Sequence, residues 1–260
     1  MKWCRIRRDG RSTYALIERD EAVEVEGSPF TEYQLTAWRH PVSEIQFLLP
    51  VEPKCMYAMG ANFAAHVDWV GGSHGVQVSL PDEVQVGHRS PAALIGPDET
   101  IVIPPDAPGP LEAEGELVVV IGRPGRAIRR EDAPGHVLGY TLGNDLGDRG
   151  WQKTDRTNWR WKNSDTFKPL GPAIATEIDP LEQEIVVRVN GDVASRYETE
   201  AMVFDVATII SRLSQYVTLG AGDLIWLGSG AATQPSLRPG DVVSVECESI
   251  GVLRNTVSVA

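Results

Sequence analysis

Three glutamates alternate along LEAEGELVVVIG, residues 111–122, immediately before an apolar run. In an extended strand, side chains i and i+2 project from the same face, so Glu114 and Glu116 would lie roughly 7 Å apart at the backbone and could share one cation. Taken alone, the alternation is also typical of a solvent-exposed stripe on a half-buried strand. The apolar continuation favours burial, and a buried carboxylate needs a metal ion or a positively charged partner.

A third oxygen ligand is available in GYTLGNDLGDRGWQ, residues 139–152, where an apolar strand ends near Asp145. Three carboxylates suit a hard cation such as Mg²⁺ or Mn²⁺, whose remaining coordination positions stay open to water or substrate oxygens. An aspartate beside a glycine is also common in turns and helix caps. The spacing alone leaves both interpretations of Asp145 open.

The elements around these carboxylates are predicted to be mainly short strands. From residue 92 onward, strand-like runs alternate with turn signals, and Asn190-Gly191 is predicted to form a two-residue hairpin turn. One long helix is predicted within VFDVATIISRLSQYV, residues 203–217, with Asp205 as its cap. The pattern predicts a β-dominated α+β fold, because it lacks the regular strand–helix alternation of a doubly wound sheet.

The first 50 residues are predicted to form a small β-rich N-terminal domain. They hold short alternating runs, and the prolines of LLPVEPK, residues 48–54, interrupt any regular element. Residues 51–260 would then form a second, larger domain. Within it, residues 66–90 include Gly71, Gly72 and Gly75 and have the composition of a lid.

Composition excludes several classes of protein. A net charge of -12 would repel a nucleic-acid backbone, and no stretch reaches the roughly 18 apolar residues of a membrane span. Cys4, Cys55 and Cys247 lie far apart, so we interpret them as buried small apolar residues rather than as a zinc motif. We therefore expect a cytoplasmic protein that binds a small molecule, and neither nucleic acid nor a membrane.

Five segments occur in the order and spacing of the fumarylacetoacetate hydrolase family. They are EGELVVVIG, GYTLGNDLGDRGWQ, WKNSDTFKPLGP, TLGAGDLIWLGS and LRPGDVVSVECESIGVLRNTV. The stretch LLPVEPKCMYAMGANFAAH also looks like that family's, so the resemblance covers nearly the whole chain. It implies a mixed β-roll catalytic domain with a small N-terminal domain, a homodimer and a divalent cation, Mg²⁺ or Mn²⁺.

The resemblance also implies roles for individual residues. They are the metal ligands Glu114, Glu116 and Asp145, the catalytic residues His66 and Lys162, and the substrate-binding residues Arg149, Gln152 and Ser229. Glu112 is not a usual ligand and would lie at the rim of the site. Arg89 stands where the family commonly has a lysine.

One departure from the family's pattern concerns water activation. Hydrolytic members have a glutamate three residues after the histidine, and its carboxylate orients the imidazole. Here that position is Trp69, and Asp68 would point about 200° around a helix from His66. His66 alone could equally be a hydrogen-bonded loop residue. The departure puts water activation in question, but not the binding of a metal ion or an oxo acid.

Three functional hypotheses follow. The first is a metal-dependent hydrolase that cleaves a carbon–carbon bond in a small 2,4-dioxo acid, such as an acylpyruvate or a fumarylacetoacetate-like substrate. The alternative is a decarboxylase or keto–enol isomerase of a 2-oxo acid, which uses the same enolate and needs no activated water. In both, the cation and Lys162 would stabilise the developing negative charge. The third, a non-catalytic protein with this fold, is disfavoured because Lys162 accompanies all three ligand candidates.

Overall fold

The computed structural model describes residues 1–68, 79–230 and 236–260, and strands dominate it, as the sequence predicts. The strands are β1 (Lys2–Arg8), β2 (Arg11–Glu18), β3 (Glu21–Gly27), β4 (Tyr33–Pro41), β5 (Gln46–Leu48), β6 (Met56–Gly60), β7 (Gln85–Arg89), β8 (Leu94–Ile95), β9 (Thr100–Ile103), β10 (Leu111–Glu112), β11 (Gly115–Ile121), β12 (Val137–Asn144), β13 (Gly147–Asp148), β14 (Lys168–Ala175), β15 (Glu184–Val189), β16 (Asp192–Glu198), β17 (Leu224–Trp226), β18 (Val242–Cys247) and β19 (Gly251–Val259). The α-helices are α1 (Arg149–Gln152) and α2 (Val206–Tyr216), and residues 64–68 are also helical. Short 3-10 helices lie at Val42–Glu44, Pro91–Ala93, Arg130–His136 and Thr199–Ala201.

The strands form mixed sheets. The largest has twelve strands in the order β4-β3-β2-β1-β14-β12-β11-β17-β6-β7, with β5 pairing with β1 and β8 with β14. A second sheet has the order β16-β15-β18-β19-β9, and β10 pairs with β13 alone. Most neighbours are antiparallel, but three pairs are parallel: β17 with β6, β19 with β9 and β14 with β8. This architecture confirms the predicted β-dominated α+β class.

Strand β11 lies inside the large sheet, paired with β12 on one side and β17 on the other. Leu117, Val119 and Ile121 lie on one face of the strand. They pack in a hydrophobic cluster that also contains Val187 and Val245 of the second sheet. Val118 and Val120 face another cluster, which contains Trp226. Both faces of the strand are therefore covered, which explains why LVVVI is apolar without alternation.

The N-terminal strands continue the large sheet. Strand β1 pairs antiparallel with β14, with Lys2 opposite Ala175 and Trp3 opposite Ile174. Trp3 also packs in the same cluster as Val118. A β-rich segment is thus present where the sequence predicts it, and its independence as a domain stays a prediction.

Two local predictions are confirmed. Asn190 and Gly191 have φ values of 53° and 90° in the turn between β15 and β16. The Asp205 carboxylate caps α2 by accepting a hydrogen bond from the Thr208 N–H at 2.7 Å. Both features depend on residues close together in the chain, so local patterns are enough to predict them.

Other expectations fare differently. The interpretation of all three cysteines as buried is wrong for Cys55, which is exposed just before β6, whereas Cys4 and Cys247 are buried. The predicted lid lies partly outside the described residues, which lack 69–78, and its last part forms the edge strand β7. Within the described ranges, no helix has both the length and the apolar character needed to cross a membrane.

Candidate metal centre

The pairing of β11 with β12 places the predicted ligands side by side. Gly115 is opposite Asn144 in the antiparallel register, so Glu114 and Asp145 meet where the two strands end. The Asp145 N–H donates to the Glu114 carbonyl at 2.8 Å, and the Glu114 N–H donates to Asn144 Oδ1 at 3.0 Å. Glu116 lies two residues further along β11. The strand ends therefore position all three carboxylates through their backbone.

Glu114, Glu116 and Asp145 form a buried carboxylate triad. One oxygen from each lies within 4.8 Å of the others, and all three residues are buried. Oxygen ligands at this separation are the donor set that Mg²⁺ or Mn²⁺ prefers. The residues present therefore fit the cation that the sequence predicts.

Asp145 is surrounded by positive charge. Arg89 donates from Nε to Oδ1 at 2.9 Å and from Nη2 to Oδ2 at 2.7 Å, while Lys168 Nζ contacts Oδ1 at 2.8 Å. Lys162 Nζ lies 3.2 Å from Oδ2. Burial opposes ionisation, but Arg89, Lys162 and Lys168 together lower the pKa of Asp145 well below its usual value. Asp145 is thus held as a carboxylate.

Glu114 accepts hydrogen bonds from two cations. Lys162 Nζ donates to Oε2 at 2.5 Å, and Arg149 Nη2 donates to Oε1 at 2.6 Å. Although burial opposes it, the charges of Lys162 and Arg149 lower the pKa of Glu114 to about 2. Arg149 also donates from Nε to Glu112 at 2.7 Å. Glu112 is only 3% exposed, so its predicted place at the rim is wrong: pairing of β10 with β13 buries it.

Glu116 has different surroundings. Its Oε2 accepts a hydrogen bond from the Gly228 N–H at 2.9 Å. Burial and the neighbouring charges of Asp145 and Glu114 raise the pKa of Glu116 well above its usual value. A cation between the three carboxylates would relieve this like-charge repulsion, which is a second reason why the triad fits a metal ion.

Lys162 and α1 are fixed next to the triad by their own hydrogen bonds. Lys162 Nζ also donates to the Asp145 carbonyl at 2.6 Å. Helix α1 begins after Asp148, whose carboxylate accepts from the Trp151 N–H at 3.1 Å. Arg149 and Gln152 lie one turn apart on this helix, with Arg149 Nη1 donating to Gln152 Oε1 at 3.2 Å. The short helix therefore holds both side chains at the same site.

One cavity of about 300 Å³ gathers the predicted site residues. Its lining includes His66, Glu114, Glu116, Asp145, Arg149, Gln152, Lys162 and Ser229. Arg89, which stands where the family commonly has a lysine, also lines the cavity. It forms an ion pair with Asp145. The structure thus brings every predicted residue together, while their catalytic roles stay predictions.

His66 lies in the helical segment 64–68 and is half-buried. Burial lowers the pKa of His66 below its usual value, with Arg149 and Lys162 acting in the same direction and Glu114 opposing them. The imidazole is therefore neutral at pH 7 and able to accept a proton. Trp69, which replaces the family's glutamate, is outside the described residues.

Two residues of the site were missed from the sequence. Lys168 contacts Asp145 from the first position of β14. Asn62 lines the cavity, accepting from the Phe204 N–H at 2.9 Å and donating to the Leu227 carbonyl at 2.9 Å. A lone lysine within TFKPLGP, a run with few polar residues, was the available signal for Lys168, and Asn62 carried none.

The fold and the site define a class of protein: a β-dominated chain with a buried, metal-compatible carboxylate triad that faces a small polar cavity. Comparison with known families makes this specific. The fumarylacetoacetate (FAA) hydrolase C-terminal domain matches residues 55–258, and the Rv2993c-like N-terminal domain matches residues 1–50. The chain belongs to the fumarylacetoacetate hydrolase family, as its motifs predict.

Relatives of known sequence or structure cover most of the chain. Protein Rv2993c of Mycobacterium tuberculosis is 35% identical over 91% of this chain and 87% of its own length. The mitochondrial oxaloacetate tautomerase FAHD2A of Bos taurus is 37% identical over 84% of this chain and 71% of its own length. The crystal structure of 5-carboxymethyl-2-hydroxymuconate delta-isomerase from Mycobacterium smegmatis is 33% identical, with a TM-score of 0.89 and complete coverage of both chains.

Proposed function

We propose that the protein is a divalent-metal-dependent enzyme that interconverts the keto and enol forms of a small 2-oxo acid. The observation that carries the proposal is an intact triad with Lys162 and His66 beside it, in a chain whose position 69 is tryptophan instead of the glutamate needed to orient a water-activating histidine. The tautomerase and isomerase names of two relatives support the same choice.

Glu114, Glu116 and Asp145 would hold Mg²⁺ or Mn²⁺ through their carboxylate oxygens. When bound, the cation supplies Lewis acidity, which polarises a substrate carbonyl. Arg149, Gln152 and Ser229 line the cavity at positions from which they would orient the substrate's carboxylate. A guanidinium suits this task because it pairs with a carboxylate through two parallel hydrogen bonds.

Lys162 places a fixed positive charge at the cavity wall. Its ammonium is held by Glu114 and by the Asp145 carbonyl, so it need not reorganise when negative charge develops on the substrate oxygen. Preorganised donors of this kind contribute strongly to rate enhancement. Lys162 would therefore favour the enol or enolate form over the keto form during proton transfer.

His66 would move the proton. A neutral imidazole that lines the cavity can take a proton from the carbon next to the carbonyl and return it to the oxygen or to the same carbon. The proton stays within substrate and imidazole, so no water is consumed. This is the chemical difference between tautomerisation and hydrolysis.

Carbon–carbon bond hydrolysis is the second candidate, because His66 lines the same cavity and could also act on a water molecule. It would require another group to orient the imidazole in place of the family's glutamate.

A homodimer and a cytoplasmic location stay predictions from the resemblance and the composition.

The experiment follows three products in parallel with Mg²⁺ or Mn²⁺ present. Ultraviolet absorbance reports the enol of oxaloacetate, a gas or coupled assay reports CO₂, and acid release reports hydrolysis of an acylpyruvate. We expect faster enol–keto interconversion that is lost in His66→Ala, without CO₂ or acid release. Acylpyruvate hydrolysis with no effect on enol decay would reject tautomerisation in favour of the hydrolase.

A further inference from the structure

We propose that Lys168 sets the charge of this site so that a divalent cation binds strongly only together with a dianionic ligand, a 2-oxo dicarboxylate. The inference rests on the proposed function, because it takes the carboxylate triad as the cation site. Lys168 acts through Asp145 and is therefore a positioning residue that does not touch the substrate.

The Lys168 ammonium is deep in the protein. Its side chain is 0% exposed, and Nζ lies 2.8 Å from Asp145 Oδ1, 2.8 Å from the Phe167 carbonyl and 3.1 Å from the Leu146 carbonyl. All three of its N–H donors thus have acceptors. Burying an ammonium is costly, and an apolar side chain of similar length would fill this position without that cost. The charge itself is therefore the property that needs an explanation.

The charges of the site cancel without a metal ion. Among the described residues that line the cavity, the charged side chains are three carboxylates and three cations: Glu114, Glu116, Asp145, Arg89, Arg149 and Lys162. Behind this wall, Glu112 pairs with Arg149, and Lys168 pairs with Asp145. With all four carboxylates ionised and all four basic side chains protonated, the set is neutral, and Lys168 is the cation that completes the balance.

A divalent cation entering this neutral, buried set leaves two positive charges uncompensated. That excess is costly where the effective dielectric constant is low. A monoanionic acid removes half of it, while a dianionic acid removes all of it. Cation and dianion therefore favour each other's binding, as linkage requires.

The ion pairs of Arg149 indicate where the second carboxylate goes. Both Glu114 oxygens accept a hydrogen bond, Oε1 from Arg149 Nη2 and Oε2 from Lys162 Nζ, so a cation held by Oε1 would compete with Arg149. The guanidinium released from Oε1 stays tethered by Glu112 and lines the cavity. It then pairs with the carboxylate of the ligand that the cation does not hold.

Calorimetric titration of the full-length protein with Mn²⁺ tests this directly. The titration is run alone, with 2-oxoglutarate and with 2-oxopentanoate, which share the same chelating head and chain length but differ by one terminal charge. A five-carbon acid fits a cavity of about 300 Å³. We expect 2-oxoglutarate to lower the Kd for Mn²⁺ at least about tenfold more than 2-oxopentanoate does.

Two substitutions shift the balance in opposite directions. Lys168→Met makes the site more negative, so Mn²⁺ alone should bind at least about tenfold tighter and the advantage of the dianion should disappear. Lys168→Arg keeps the charge and should keep the preference for the dianion. Glu112→Gln makes the site more positive, so it should weaken binding of Mn²⁺ alone and enlarge the preference for the dianion. Because glutamine is isosteric with glutamate, this variant also tests the inference if Lys168→Met does not fold.

If 2-oxoglutarate and 2-oxopentanoate lower the Kd of the wild-type protein for Mn²⁺ equally, the inference is overturned. It is also overturned by a Lys168→Met protein that folds normally and binds Mn²⁺ no more tightly than wild type. A different result separates the failure of the proposed function: Mn²⁺ binding that is absent, or that survives Glu116→Gln unchanged, would contradict the cation site itself.

Discussion

At the scale of single residues, the site depends on carboxylates that differ in their neighbours. Asp145 has three cationic partners, Glu114 has two, and Glu116 accepts a backbone hydrogen bond from Gly228. Burial alone would raise the pKa of both Asp145 and Glu116, but the cationic partners of Asp145 lower its pKa, whereas the carboxylates near Glu116 raise its pKa further. Partner identity, more than depth, decides which carboxylate is held ionised before a cation arrives.

The first prediction concerns Lys162. We expect Lys162→Met to lower kcat for tautomerisation about 100-fold or more, because it removes a preorganised donor to the developing oxyanion. Mn²⁺ binding should persist, since the triad keeps its oxygens and one competing cation is gone. Steady-state kinetics paired with Mn²⁺ titration makes the measurement. A variant that loses Mn²⁺ binding and activity together would instead give Lys162 a structural role.

The sequence could predict individual residues only as far as local signals reach. Glu114 and Glu116 stand two apart in one strand, so their shared face follows from strand geometry. Asp145 meets them only through the register of β11 with β12, which no local pattern reveals. Lys168 and Glu112 were missed or misplaced for the same reason, because their partners Asp145 and Arg149 lie 23 and 37 residues away in the chain. Family resemblance supplied the triad, Lys162 and Arg149, but not Lys168 behind Asp145.

At the scale of elements, α2 shows how one cap stabilises a helix next to the sheets. Its buried face includes Val206, Ile209 and Ile210, and its first turn is capped by Asp205. Arg130 also hydrogen-bonds the Asp205 carboxylate. Although partial burial opposes it, the bonds from Thr208 and Arg130 lower the pKa of Asp205. The cap is therefore present as the ionised carboxylate at neutral pH.

The second prediction is that Asp205→Ala destabilises the protein by about 1 kcal/mol at pH 7, the usual cost of losing a cap. Because the folded-state pKa of Asp205 lies below its unfolded value, the ionised cap contributes above the unfolded pKa of about 3.9. Its contribution is lost as the pH falls through the folded-state pKa. Urea unfolding at several pH values measures this, with Asp205→Asn as a control that keeps most of the capping. A constant difference down to pH 2 would contradict the assignment.

At the scale of the whole molecule, one sheet joins the N-terminal strands to the rest of the chain. Strand β1 pairs with β14, and the cluster around Trp3 includes Val118, Leu170 and Trp226. The sequence predicted a boundary near residue 50 from composition and prolines, and the two family matches meet between residues 50 and 55. Sheet continuity could not be predicted, because strand pairing between residues about 170 apart leaves no local signal.

The third prediction follows from this shared sheet. The N-terminal segment and the remaining chain should unfold in one cooperative transition, and Trp3→Ala should lower the free energy of unfolding by about 3 to 5 kcal/mol. Hydrogen exchange in denaturant, followed on peptides from β2 and from β12, measures the cooperativity of unfolding and the change in its free energy. Loss of protection in β2 well before β12 would instead show that residues 1–50 unfold as an independent domain.

The central claim is that Glu114, Glu116 and Asp145 form a divalent cation site. The most direct measurement is a crystal structure from crystals grown with Mn²⁺, with an anomalous difference map calculated from data collected at the manganese edge. We predict one strong peak within about 2.6 Å of an oxygen atom from each of the three carboxylates, with Arg149 displaced from Glu114 Oε1. A map with no peak at the triad, at a Mn²⁺ concentration that saturates the protein in solution, would contradict the claim.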